Sequence, residues 1–213
     1  MKLQLALDDI TLNDALSLLK AIEPYIDIVE VGTPFMMEYG MEGVRSIKQS
    51  FSTIEVLCDA KIMDAGSYEA QLTFEAGADY VTVLGVTDDL TIEEVVRAAR
   101  AHAGKVMVDM ICVKDLKERS QRLEELNVDA IAVHTGVDQQ AAGRTPLDDL
   151  KVLSKYVKKT PIAVAGGINQ QSIKDYLTYR PDILIVGGGI IHADNPVEAA
   201  KNLANQLKGV NSV

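Results

Sequence analysis

The chain has 213 residues, 47% hydrophobic and 24% charged, with a formal net charge of −10. That balance suits a soluble globular domain with a sizeable core, and it argues against nucleic acid or an anionic membrane as a partner. No apolar run approaches the roughly 18 residues needed to span a bilayer. The opening Met1 to Asp8 lacks the apolar stretch and cleavage site of a signal peptide, so a cytoplasmic protein is expected.

In chain order, strand-like apolar segments fall near 3–8, 26–31, 54–59, 79–84, 105–110, 129–134, 161–165 and 182–186. Amphipathic helical patterns lie between them, among others at 12–23, 67–76, 92–102, 114–126, 147–156 and 197–207. One strand plus one helix, repeated eight times, predicts a single (β/α)8 barrel of parallel strands over residues 1–213. An open doubly wound sheet is the alternative, but the first strand runs into Leu7-Asp8-Asp9-Ile10 with no glycine-rich loop. Cys58 and Cys112 lie in or beside apolar strand-like segments and read as reduced core thiols.

Alternation assigns faces. Leu3, Leu5 and Leu7 point at the helices, while Gln4, Ala6 and Asp8 face the barrel interior. On the sixth strand Ile131 and Val133 face out, and Ala130, Ala132 and His134 face in. Active sites of this fold lie at the strands' C-terminal ends. Asp8, Glu30, Asp59 with Lys61, and His134 therefore converge on one rim. Asp59 and Lys61 share a face with Asp64 just beyond; alone, that spacing also fits a solvated ion pair. Glu30 and Asp59, on neighbouring strands, offer hard oxygens to Mg2+, which takes one or two carboxylates and keeps positions for water or substrate. The dispersed His102, His134 and His192 do not resemble a zinc site.

Two glycine-rich turns follow the seventh and eighth strands, Ala165-Gly166-Gly167-Ile168 and Val186-Gly187-Gly188-Gly189. Backbone amides there can approach an anion closely, in the two loops where many barrels hold phosphate. Gly166, Gly167, Gly187 and Gly188 thus predict a phosphorylated ligand. Asp109 ends the fifth strand but runs on into Met110-Ile111-Cys112, and reads as a barrel-layer or helix-capping group. His192, past the last glycine turn, carries no assignment.

Leu7-Asp8, Val29-Glu30-Val31-Gly32-Thr33-Pro34 and Asp59-Ala60-Lys61-Ile62-Met63-Asp64 together resemble the orotidine-monophosphate decarboxylase suprafamily, over essentially the whole chain. Asp-x-Lys-x-x-Asp marks the suprafamily, not one reaction. The keto-gulonate-phosphate decarboxylases carry an arginine shortly after the sixth-strand histidine and another on the phosphate after the eighth strand. Here the chain reads His134-Thr135-Gly136-Val137-Asp138 and Gly187-Gly188-Gly189, which is similar to the hexulose-phosphate synthase branch.

The resemblance implies reversible addition of formaldehyde to the phosphorylated ketose D-ribulose 5-phosphate through a 1,2-enediolate that Mg2+ chelates. It implies Glu30 and Asp59 on the metal, Lys61 stabilising the enediolate, His134 as general base or acid, and Asp8 and Asp64 orienting sugar hydroxyls and Lys61. It places the residue matching Asp64 in the partner subunit's site, hence a homodimer with shared active sites. The rival readings are 3-keto-L-gulonate-6-phosphate decarboxylase, a non-catalytic phosphosugar sensor, and an aldolase working through an imine on Lys61.

Overall fold

Strands and helices alternate from the first residues of the chain onward in the computed structural model, which describes residues 1–210. The order is β1 (Lys2–Leu7), α1 (Leu12–Ile22), β2 (Ile28–Val31), α2 (Thr33–Ser50), β3 (Glu55–Ile62) and α3 (Gly66–Glu75). It continues with β4 (Tyr80–Leu84), α4 (Asp89–Ala101), β5 (Lys105–Asp109), α5 (Leu116–Glu125), β6 (Ala130–His134), α6 (Val137–Ala141) and α7 (Leu147–Tyr156). The described residues finish with β7 (Ile162–Ala165), α8 (Ile173–Leu177), β8 (Ile183–Val186), α9 (Gly188–Ile191) and α10 (Pro196–Val210). Each strand pairs in parallel with its sequence neighbours, and β8 pairs with β1, closing the (β/α)8 barrel.

The period-2 alternation sorts the apolar side chains into two shells. Leu3, Leu5, Leu7, Ile131 and Val133 pack between sheet and helices. Ala6, Ile28, Leu57, Tyr80, Met107, Ala130 and Ala132 fill the barrel itself. Each fully buried aliphatic side chain contributes about 1.5–3 kcal/mol of transfer free energy, so a one-residue slip of any strand would forfeit several such terms. Short polar side chains start the helices that leave the rim. Thr11 accepts from the Asp14 amide, Asp88 from Leu90 and Asp115 from Glu118, satisfying first-turn donors that have no helical partner.

The ends of two strands bear on the rim. The third strand runs on to Ile62, through an irregularity after Cys58, instead of ending at Asp59. The fifth stops at Asp109, so the apolar run beyond it leaves the sheet. Met110 remains buried, whereas Cys112 is exposed at a positive φ of 63°. Cys58 is a buried thiol as expected; Cys112 is not a core residue. Among the described residues no helix is long and apolar enough to cross a membrane.

Candidate active site

The C-terminal rim gathers the strand-end charges. Asp59, at 5% exposure, is the most heavily bonded. Its Oδ2 accepts from the Thr33 hydroxyl at 2.9 Å and pairs with the Lys61 ammonium, while its Oδ1 accepts from the Thr82 hydroxyl at 2.7 Å. The Lys61 Nζ also lies 3.5 Å from Asp109 Oδ2. Burial acts to lower the Lys61 pKa, but the Asp59 and Asp109 carboxylates more than offset it and hold the amine above its ordinary value.

Asp109 belongs to the site, correcting its reading as a layer or capping group. Its Oδ2 lies 2.8 Å from His134 Nδ1, and its Oδ1 accepts from the Ile111 amide at 2.9 Å. Burial opposes its charge, yet the His134 hydrogen bond, the His134 and Lys61 charges and that amide keep the carboxyl below the usual range. Asp109 stands at the end of its strand beside His134's strand, the same positional signal that marked Asp8 and His134. The apolar residues after it masked that signal.

Glu30 lies deeper and is buried. Gln4, fully buried on β1, donates its Nε2 to Glu30 Oε2 at 2.6 Å, and Gln4 Oε1 is buried without a partner among the described residues. Desolvation first, then repulsion from Asp59, raises the Glu30 pKa well above its ordinary value. Asp8 stands at the mouth against Gly32, where a Cβ would come within 2.1 Å of Asp8 Oδ1, so a side chain at position 32 would expel the carboxylate. Loss of solvent on its protein-facing side, then the Asp59 charge, raises Asp8 as well.

Thus Asp8, Glu30, Asp59, Lys61 and His134 come together, joined by Asp109, Gln4, Thr33 and Thr82. Gln4 and Thr82 carried no functional signal in the sequence, since a threonine or glutamine inside a strand is read as packing. Thr33, which opens α2, lay in the segment that carries the resemblance but had no role of its own. Asp64 stands outside this network, exposed, its Oδ1 accepting from the Ala65 amide. The glycine turns flank the same rim. Gly166 holds φ of 126°, and a Cβ there would meet the Thr135 carbonyl at 2.8 Å, so the turn admits no other residue without strain. Gly187 closes the far side, near Ala6 and Asp8, and Gly188 opens α9. His192, which follows α9, pairs with Asp9 at 2.9 Å across the rim.

The donor set is compatible with a divalent cation. Four carboxylates face one lysine, two of them are pushed toward protonation by mutual repulsion and burial, and a buried amide oxygen lacks a donor. Among the described residues no three acidic, histidine or cysteine side chains enclose an ion by themselves. An ion here would take Glu30 and Asp59 and complete its shell with other oxygens.

Residues 1–203 match the model of the orotidine 5'-phosphate decarboxylase / HUMPS family. The 3-hexulose-6-phosphate synthase of Staphylococcus haemolyticus is 46% identical over 209 residues, covering 98% of this chain and all of that one. The crystal structure of 3-hexulose-6-phosphate synthase from Salmonella typhimurium is 52% identical, with a TM-score of 0.96 over 99% of this chain and all of that one. The 3-keto-L-gulonate-6-phosphate decarboxylase of Vibrio cholerae stands further off, 25% identical with a TM-score of 0.83 over 98% of each chain. By its sequence, its closed barrel and the residues on its rim, the chain belongs to the orotidine 5'-phosphate decarboxylase / HUMPS family.

Proposed function

We propose that this chain joins formaldehyde to C1 of D-ribulose 5-phosphate, giving D-arabino-3-hexulose 6-phosphate, and runs the cleavage in reverse. The observation that carries the reading is the Lys61 ammonium held between Asp59 and Asp109, with Asp109 also holding His134. The relatives named 3-hexulose-6-phosphate synthase support it, at 46% and 52% identity over nearly the whole chain.

The chemistry follows from the side chains. Asp109 occupies His134 Nδ1, which leaves Nε2 as the ring nitrogen able to take the C1 proton of the ketose. Loss of that proton spreads negative charge over C1 and the C2 oxygen, and the Lys61 ammonium is fixed in place to stabilise it without reorganising. The C1 carbanion then attacks the formaldehyde carbon; a C–C bond forms, and the former aldehyde oxygen collects a proton from the imidazolium. Two flanking carboxylates keep Lys61 protonated, so it does not act as an imine-forming nucleophile. Glu30 and Asp59 would hold Mg2+, which when bound would supply further positive charge to neighbouring sugar oxygens. Asp8 at the mouth orients a sugar hydroxyl. The amides of Gly166, Gly167, Gly187 and Gly188 take the phosphate, with no arginine at those four positions.

A homodimer with shared sites fits the surface. Around Asp64, the exposed apolar side chains Met63, Tyr68, Leu72, Val86 and Leu90 gather on the β3–α3 and β4–α4 edge. Burying that edge against a second copy would carry one protomer's Asp64 toward the other's Lys61.

Side-by-side assays test the function. Ribulose 5-phosphate plus formaldehyde should turn over faster than 3-keto-L-gulonate 6-phosphate, activity should vanish with EDTA and return with Mg2+, and borohydride should trap no adduct. Faster decarboxylation, or a trapped imine, would replace this reading with the corresponding rival.

A further inference from the structure

The third strand carries the least regular backbone of the site. Between Cys58 and Ile62, four steps along β3 advance against two along β4, from Val81 to Val83. Inside that irregularity Lys61 holds φ of 48°. A lysine side chain does nothing to favour the left-handed region, so the surroundings must hold it there. Bulges of this kind re-aim side chains beside active sites.

Thr82, the β4 residue in the gap, touches both halves of the irregularity. It is buried, at 4% exposure, and its Oγ1 accepts from the Lys61 amide at 2.9 Å while donating to Asp59 Oδ1 at 2.7 Å. A hydroxyl offers one donor and two acceptor sites. Here the donor is spent on the carboxylate and an acceptor on the amide that the bulge withdraws from the ladder. Valine has the same shape and can do neither; serine can do both.

We propose that Thr82 is a positioning residue, whose hydroxyl locks the β3 bulge to Asp59 and thereby sets the direction from which the Lys61 ammonium meets the substrate. The kinetic part rests on the reaction proposed above; the geometric part does not.

Crystal structures and kinetics of Thr82→Val and Thr82→Ser test it together. In the valine variant Lys61 should leave the left-handed region, or its Nζ should move by about 1 Å or more from Asp59, and kcat should fall about tenfold to hundredfold with KM for the ketose phosphate little changed. Serine should restore both. Thr82→Ala replaces the valine variant if that one does not accumulate. An unmoved Lys61, an undiminished kcat, or a serine variant as impaired as valine overturns the proposal. If the wild-type enzyme does not join formaldehyde to ribulose 5-phosphate, the reaction reading fails, and the Lys61 position in the valine variant still decides the role of Thr82.

Discussion

The two ends of this barrel carry charge in opposite ways. At the N-terminal floor, Glu55 on β3 sits between Lys2 of β1 and Lys105 of β5, with Lys105 Nζ 2.6 Å from Glu55 and 3.2 Å from the Tyr80 hydroxyl. Partial burial opposes the Lys105 charge, but those hydrogen bonds outweigh it and push the amine up to about 12, while the two lysines hold Glu55 below its ordinary value. At the mouth four carboxylates share one lysine and one histidine, and Glu30 and Asp8 are driven upward. At the floor two lysines answer the one carboxylate; the mouth keeps an excess of negative charge, which a proton or a bound cation would relieve. An ionisable residue inside a barrel is therefore informative less by its presence than by whether the protein itself satisfies it.

Removing the lysine at each end separates the two most sharply. Lys61→Ala should lower kcat by about 10²–10³-fold, the loss expected for one fixed donor to developing charge. Lys105→Met should leave kcat within about twofold and cost no more than about 1 kcal/mol, since its ion pair is partly exposed. Steady-state kinetics and thermal melts on the two variants check this, and comparable kinetic losses would erase the distinction between the ends.

The mouth differs in a second respect, because Asp64 does not reach the network of its own protomer. Leu90→Asp, which charges a side chain 72% exposed on the α3–α4 edge, should yield a monomer by light scattering. Its kcat should fall about a hundredfold, as for a misplaced catalytic group. A fully active monomer removes the shared-site arrangement while leaving the reaction intact. A smaller effect is expected at Asp109, which touches His134 and Lys61 without itself moving a proton. Asp109→Asn should cost about tenfold in kcat, at the lower edge of general acid–base contributions, with KM preserved.

These contrasts show which parts of the design were legible in the residues. Asp8, Glu30 and His134 were, because a strand's C-terminal residue in a barrel has one rim to point at, and alternation chooses its face. Asp109 occupied an equivalent position but was followed by Met110-Ile111-Cys112, which mimics a continuing strand, and that same run misplaced Cys112 in the core. Thr82 was invisible for a different reason. Threonine favours strands whatever its hydroxyl does, so its role emerges only once tertiary pairing brings Asp59 within reach. The β3 bulge was likewise beyond sequence reading, since nothing in Cys58-Asp59-Ala60-Lys61-Ile62 marks a left-handed residue as a glycine would.

The smallest predicted effect concerns stability, and it tests the charge comparison by sign. Glu30 has a folded-state pKa raised above its ordinary value of 4.5. Below that value both folded and unfolded chains hold the proton, and Glu30 contributes no pH dependence. As pH rises above it the unfolded chain ionises first, so Glu30 makes the metal-free protein progressively less stable until the folded carboxyl also ionises. Glu55 is the reverse: its lowered folded value contributes stability that is fully present above 4.5 and lost as pH falls through the folded value. In EDTA near neutral pH, Glu30→Gln should therefore melt above the wild type and Glu55→Gln below it, both converging on the wild type in acid. Mg2+ should raise the wild-type melting temperature and leave Glu30→Gln unmoved, because a cation recovers the repulsion between Glu30 and Asp59 only where both carboxylates are present. Thermal melts from about pH 3 to about pH 8, with and without the ion, read all three effects. Shifts of the same sign for the two variants would mean that mouth and floor are electrostatically alike, and that the unbalanced charge at the mouth does not arise from the crowding of Glu30 against Asp59.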